Sequence, residues 1–323
     1  MTKSDFIQKM NQLGSERLPF LFIIDFNFDN PIIIPLDEIN SDEILFQTPK
    51  FTNCKVRNFQ IPAVNFQKDV ISFDEYKKKF DFVKSQILLG NSYLLNLTCP
   101  TKIKINLTPQ EIFKFSKAKY KLYYQNKFVC FSPEIFVTIN DGIISSYPMK
   151  GTIDADIPDA LDLILNDEKE FAEHNTIVDL IRNDLSIVAK KVRVRKFRYP
   201  DYLQTNQKNL IQISSEISGE LPTDWHSKIG DIFAKLLPAG SVTGAPKIKT
   251  VEIIKDTEQY DRGYYTGVFG IFDGFNLDSA VMIRFIENTD NGMIFKSGGG
   301  ITSMSEVNSE YQELIDKVYV PIY

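Results

Sequence analysis

Histidine is nearly missing from this 323-residue chain, which has two, His174 and His226. A zinc cage or a Ser-His-Asp triad is hard to assemble from that supply. Cysteine is scarce as well. Cys54, Cys99 and Cys130 form neither a CxxC pair nor an even disulfide framework, so reduced thiols in a cytoplasmic protein are expected. No apolar run approaches the roughly 20 residues that a membrane span needs. The Met1–Ser15 stretch is polar and mixed in charge, without the apolar centre of a signal peptide. Positive charge is not in excess either. The formal net charge is −5, which argues against nucleic acid as a partner, because that affinity rests on clustered Lys and Arg.

What is present suffices for a sizeable core: 43% of the residues are hydrophobic. Leu18–Asp25 and Pro31–Pro35 read as strands. Ser72 and Glu75 have capping-box spacing, and Phe73, Tyr76, Phe80, Val83 and Ile87 follow at helical spacing up to Gly90. Thr108, Pro109 and Glu111 repeat the start signal. Phe128–Cys130, Ile135–Ile139 and Ile143–Tyr147 read as strands. A long helix over about Asp167–Ala189 has Phe171, Val178, Ile181 and Leu185 as its apolar stripe. Leu210–Ile217 looks extended, and Pro246 is placed to open a helix. Strands around Tyr264–Phe272 and Ala280–Ile286 precede a terminal helix from about Val307. Strands gathered at both ends with helices between them predict an α+β fold of large, mostly antiparallel sheets wrapped by helices.

Several constellations could carry chemistry. Glu170/Glu173 and Glu310/Glu313 are pairs at a spacing that shares one helix face, suited to a hard cation such as Mg2+ or merely to solvent. Gly298-Gly299-Gly300 could let backbone N–H groups approach an anion, or form a tight turn, and the turn is favoured. Pro238–Lys247 lacks the GxxxxGK[ST] spacing of a nucleotide P-loop. Arg284 sits in an apolar run, where it needs an internal carboxylate or a bound one. Lys150, at a strand end beside small residues, is either a turn residue or an amine made nucleophilic by desolvation. The basic run from Lys190 to Arg198 alternates with Val192 and Val194, as one solvated face of a strand does, and a dock for an acidic partner is the other reading.

Taken together, the order and spacing of these segments resemble the chorismate-utilising family, closest to its aminodeoxychorismate synthase component I branch. The likeness runs from about Ile71 to Ile322, through Ser132-Pro133-Glu134, PMKGT (Pro148–Thr152), KEFAEHNTIVDLIRNDL (Lys169–Leu185), PAGSVTGAPK (Pro238–Lys247), RGYYTGVFG (Arg262–Gly270), AVMIR (Ala280–Arg284) and GGGIT with SEYQELIDK (Gly298–Lys317). Residues 1–70 then form a short divergent segment packed on a catalytic domain of residues 71–323. The resemblance implies an anthranilate synthase component I-like fold. It also implies a Mg2+ shell of Glu170, Glu173, Glu310 and Glu313. Arg284, Tyr265 and the N–H of Gly300 would hold the enolpyruvyl carboxylate. Lys317 and Gly298 would lie near the substrate, Thr152 against the ring, and Glu134 would be the general acid at the C4 hydroxyl.

The branch turns on Lys150. Where it stands, anthranilate synthases carry a small residue and aminodeoxychorismate synthases a lysine that attacks C2 of chorismate. Isochorismate and salicylate synthases place a water-activating lysine where this chain has Leu94, which cannot act as a base. A histidine of anthranilate synthases corresponds to Gln212. No segment resembles the tryptophan feedback site. No Cys-His-Glu triad can be assembled for making ammonia, so a separate glutamine amidotransferase subunit is expected. The alternatives are anthranilate synthase component I and a non-catalytic chorismate-binding paralogue.

Overall fold

The computed structural model describes residues 1–54, 62–204 and 209–322. Two large sheets carry the fold, and every strand pairing in them is antiparallel. The first, of nine strands, follows the path Met149–Asp154, Asn209–Glu220, Ile143–Ser146, Ile135–Asn140, Leu277–Val281, Val268–Phe272, Phe20–Ile24, Ile32–Pro35, with Lys190–Gln204 also paired to Asn209–Glu220. The second, of eight, runs Gly244–Ala245, Leu94–Ile105, Gly292–Ile301, Phe285–Thr289, Phe128–Ser132, Tyr120–Tyr124, Ile44–Gln47, with Phe66–Asp69 on Leu94–Ile105.

The Phe20–Ile24 strand shows why the sheets stack. Its side chains alternate between two faces, and all five residues are buried. Phe20, Phe22 and Ile24 join a cluster with Phe6, Met10 and Leu13 of the helix Lys3–Ser15 and Phe233 of the helix Ile229–Leu236. Leu21 and Ile23 face the other way and meet Tyr120, Leu122, Phe128 and Phe285 of the second sheet. Helices cover the outer face of that sheet too, through Ile112 and Phe113 at one end and Tyr76, Phe80 and Val83 at the other. The α+β architecture read from the sequence is the one observed.

The anticipated helices form where their caps stand. Ser72 accepts from the Glu75 N–H, Thr108 and Glu111 complete a reciprocal capping box, and Asp167 accepts from the Glu170 N–H. Phe171 leaves its anticipated place in the buried stripe. It is exposed, meets Phe197 edge-on and lies under the Arg198 guanidinium, covering the basic strand instead of the core. That strand is a solvated face: Val192 and Val194 pack inward, while Lys191 and Lys196 pair with Glu220 and Glu216 of the neighbouring strand. Helix Lys3–Ser15 lies in a stretch noted only for its mixed charge, although Phe6, Met10 and Leu13 had the right spacing.

Two local expectations are corrected. Ala280–Ile286 is not one strand. Leu277–Val281 ends in the first sheet and Phe285–Thr289 begins in the second, and the chain crosses between them at Met282–Arg284, with Arg284 at φ 50°. Gly298–Gly300 is not a turn but strand interior, with Gly298 opposite Thr98 and Gly300 opposite Asn96. Glycine is required there by crowding, since a Cβ on Gly298 would lie 2.4 Å from the Leu97 carbonyl oxygen.

One buried ion pair joins several of these pieces. The Arg262 guanidinium donates to both carboxylate oxygens of Glu258, at 2.8 and 2.6 Å, and to the carbonyls of Val242 and Asn96, both at 2.8 Å. Glu258 also accepts from the Thr98 N–H and hydroxyl, each at 2.8 Å. Removing one partner strands the other charge in the interior. Arg262→Ala should therefore lower unfolding free energy by about 3–5 kcal/mol. A shift below about 1 kcal/mol in urea denaturation would refute the stapling role.

Candidate active site

A cavity of about 240 Å3 opens beside this staple, lined from both sheets and from the loops that join them. Glu134, Lys150, Thr152, Tyr265, Arg284, Gly298, Gly300, Glu313 and Lys317 all line it, as do Leu94 and Gln212. Residues from Glu134 to Lys317 thus meet at one place.

Lys150 reaches the cavity through a β-bulge. Met149 pairs with Ser214 but Thr152 with Gln212, so the strand carries one extra residue, and Gly151 takes φ 82°. Behind it, Ser215 gives its N–H to the Pro148 carbonyl and its hydroxyl meets His174 Nε2 at 2.7 Å. Burial drives that imidazole down to about 4, with the Arg198 charge adding to it, so the ring is neutral.

Lys150 Nζ lies 2.7 Å from Glu173 Oε2. Burial alone would depress its pKa, but the Glu173 carboxylate outweighs it, and the ammonium stands above the ordinary lysine range. The desolvation read from the sequence is thus present, and the neighbouring carboxylates act against it.

Glu134 follows Pro133 off the Phe128–Ser132 strand, its N–H on Ser132 Oγ at 3.1 Å and its carbonyl accepting from Val281 N–H at 3.1 Å. Its carboxyl accepts a hydrogen bond from Ser241. Burial raises its pKa, and Ser241, Lys317, Lys150 and Arg284 offset only part of that rise. Such a carboxyl keeps its proton to a higher pH than an exposed one, which suits a general acid.

Two further cations line the cavity. Arg284 stacks over Tyr319, and its buried Nε has no hydrogen-bond partner among the described residues. Lys317 donates to the Gly298 carbonyl at 2.9 Å and pairs with Glu313. Burial lowers the Lys317 pKa against the pull of Glu313. Of two adjacent tyrosines, Tyr265 lines the cavity, while Tyr264 gives its hydroxyl to the Asn30 carbonyl outside it.

The remaining glutamates gather next to the lining. A Cβ on Gly151 would lie 3.1 Å from Glu170 Oε2, and one on Gly299 would lie 3.5 Å from Glu310 Oε2 and 3.6 Å from Glu313 Oε1. Lys169 Nζ stands between Glu310, at 3.5 Å, and Glu173, at 3.9 Å. Burial and like charge raise the pKa of Glu170 and Glu310. Among the described residues no three acidic, His or Cys side chains close tightly enough to enclose an ion. All four glutamates offer carboxylates, the donor type that Mg2+ takes with water completing its shell, and three of them, Glu173, Glu310 and Glu313, stand beside the ammonium groups of Lys150, Lys169 and Lys317.

Residues 42–322 match the profile of the chorismate binding enzymes. The chain belongs to this family. An uncharacterised PabA-like protein of Haemophilus influenzae is 51% identical over 99% of this chain and 98% of its own length. Aminodeoxychorismate synthase component 1 of Bacillus subtilis is 32% identical over 76% of this chain, which spans 54% of that protein. Among solved structures, anthranilate synthase component I of Streptococcus pneumoniae superposes with a TM-score of 0.67 at 26% identity, covering 80% of this chain and 59% of that one. The menaquinone-specific isochorismate synthase of Escherichia coli has the same fold, with a TM-score of 0.73 at 15% identity over 97% of this chain and 80% of that one.

Sequence reasoning missed Ser241, Lys169 and Lys296. The first two lie inside motifs already singled out, but a motif does not say which side chains touch. Glu310, 4% exposed, offers the clearest test of the carboxylate group. Glu310→Gln should weaken Mg2+ binding by about tenfold in calorimetric titration while the fold is retained. An unchanged Mg2+ isotherm would remove Glu310 from any cation site.

Proposed function

We propose that this chorismate-binding enzyme is an aminodeoxychorismate synthase component I, converting chorismate and ammonia into 4-amino-4-deoxychorismate. The observation that carries the reading is Lys150, turned by a bulge into the same cavity as the half-buried Glu134 carboxyl. Leu94 and Gln212 in the lining support it, because neither can activate water or act as an acid or base near neutral pH.

Chorismate is a dianion with a poor leaving group. Arg284, with Tyr265 and the Gly300 N–H, would take the enolpyruvyl carboxylate, and Lys317 would stand near the ring carboxylate. Thr152 would contact the ring. Glu170, Glu173, Glu310 and Glu313 would hold Mg2+, which when bound neutralises the ring carboxylate. Lys150 attacks as the free amine, and Glu173 Oε2 at 2.7 Å is an acceptor in reach of its proton. The new C2–N bond pushes both ring double bonds along the diene, from C1=C2 and C5=C6 to C1=C6 and C4=C5, and the C4 hydroxyl leaves as water with the Glu134 proton. Ammonia then attacks C4, both double bonds shift back and the Lys150 amine departs. One hard substitution becomes two allylic ones.

Ammonia would come from a separate glutamine amidotransferase subunit. Cys99 and Cys130 are buried, and burial pushes the Cys99 thiol up to about 12, so neither suits glutamine hydrolysis. The reduced thiols of Cys99 and Cys130 fit a cytoplasmic setting, and among the described residues no helix is long and apolar enough to cross a membrane. The product would supply a lyase that makes 4-aminobenzoate for folate.

Chorismate, Mg2+ and ammonium should yield aminodeoxychorismate, detected as 4-aminobenzoate once the lyase is added. Anthranilate fluorescence would instead assign the enzyme to the anthranilate synthases, and chorismate binding without turnover would make it a non-catalytic paralogue. Lys150→Ala should abolish amination, and full retained activity would eliminate the covalent step.

A further inference from the structure

Ser241 stands on a short turn, Gly240–Val242, that is fixed from several directions. Thr243 Oγ1 donates to the Ala239 carbonyl at 2.8 Å, and Arg262 Nη1 to the Val242 carbonyl at 2.8 Å. Gly240 lies against Leu180 and Asp184 of the long helix Glu168–Ser186. Asp184 in turn pairs with Lys247 at 2.9 Å, just beyond the turn. The Ser241 hydroxyl is therefore placed before any substrate arrives, and it donates to Oε1 of Glu134.

A second, smaller hollow lies behind that carboxyl. Glu134, Pro148 and Ser241 line both it and the reaction cavity, and its other walls include Phe136, Ile181 and Leu236. A half-buried carboxyl between two spaces needs something to choose its side. The charged groups that act on it are Lys317 from the end of the terminal helix, Lys150 from the bulge and Arg284 from the crossing between sheets. Asp184, already paired with Lys247, borders the hollow.

We propose that Ser241 is the positioning residue of the acid: it tethers Oε1 of Glu134, keeps the carboxyl out of the rear hollow and leaves the transferable proton to Oε2. This rests on the reading of Glu134 as the general acid, and it names a residue that acts only through it. The hydroxyl also stabilises the carboxylate form. Its loss must then raise the Glu134 pKa further, whereas a purely structural role for the turn would leave it unmoved.

The test uses the full chain labelled with [δ-13C]glutamate, the Glu134 signal being assigned as the one lost in Glu134→Gln. In the native protein this carboxyl should titrate above the exposed glutamates. In Ser241→Ala it should move up by about one further pH unit, and Ser241→Thr should return it. An unmoved titration in Ser241→Ala would overturn the tether, and this readout needs no turnover, whatever the product. Chorismate consumption, followed without regard to product, should lose about tenfold in kcat in Ser241→Ala with KM unchanged, and recover in Ser241→Thr. A displaced titration with native kcat would overturn the positioning role. Failure of the native protein to aminate chorismate would sink the proposed reaction alone, since the titration still decides the tether.

Discussion

The buried pair of Glu258 and Arg262 is the constraint on which the site depends. Two charges taken out of water stabilise little unless every donor and acceptor finds a partner. Here they do: the guanidinium spans a carboxylate and two backbone carbonyls, and the carboxylate accepts from Thr98 as well. The partners lie on different pieces of the molecule, namely the end of the helix Lys247–Glu258, the strand Leu94–Ile105 and the turn Gly240–Val242. The strand and the turn also wall the cavity, through Leu94 and Asn96 and through Ser241 and Val242. Lys296 adds to the fastening by donating to the Arg262 carbonyl at 3.0 Å and pairing with Glu287 at 3.0 Å. Rigidity at the site comes from charge buried beside it, not from charge within it.

Opposite charges alternate around the cavity. Arg284 enters from the sheet crossing, Lys317 at the end of the terminal helix pairs with Glu313, and Lys150 pairs with Glu173 of the long helix. The Glu173 carboxylate beside Lys150 favours the ammonium form, and burial biases Glu134 to the neutral form. Both groups are thus biased to hold a proton, Glu134 by burial and Lys150 by a neighbouring carboxylate.

Much of this was legible in the sequence, and the limits were physical. Helices with side-chain caps could be placed from Ser72 and Thr108, because caps are local, and the long helix from its apolar stripe. The helix Lys3–Ser15 was hidden by attention to its charge, although Phe6, Met10 and Leu13 were correctly spaced. The crossing at Met282–Arg284 was read as continuous strand because both halves are apolar, and only the left-handed backbone of Arg284 breaks it. The Gly298–Gly300 run was read as a turn because its reason, the closeness of the paired strand, is not local. Lys150, taken singly, could not be told from a surface turn residue. It gained meaning from ordered motifs, and even those could not show that Glu173 or Ser241 would touch the groups they touch.

The bulge at Lys150 has a consequence for how such a site can be gained or lost. Successive side chains in a strand point to opposite faces, so each inserted or deleted residue changes the parity of everything beyond it. One residue fewer between Met149 and Thr152 would restore regular pairing with Ser214 and Gln212. The residues that remained would meet the cavity in a different phase. The chemistry therefore depends on a count as well as on an identity, and a lineage could abandon it by a single-codon deletion that leaves both sheets and their cores in place.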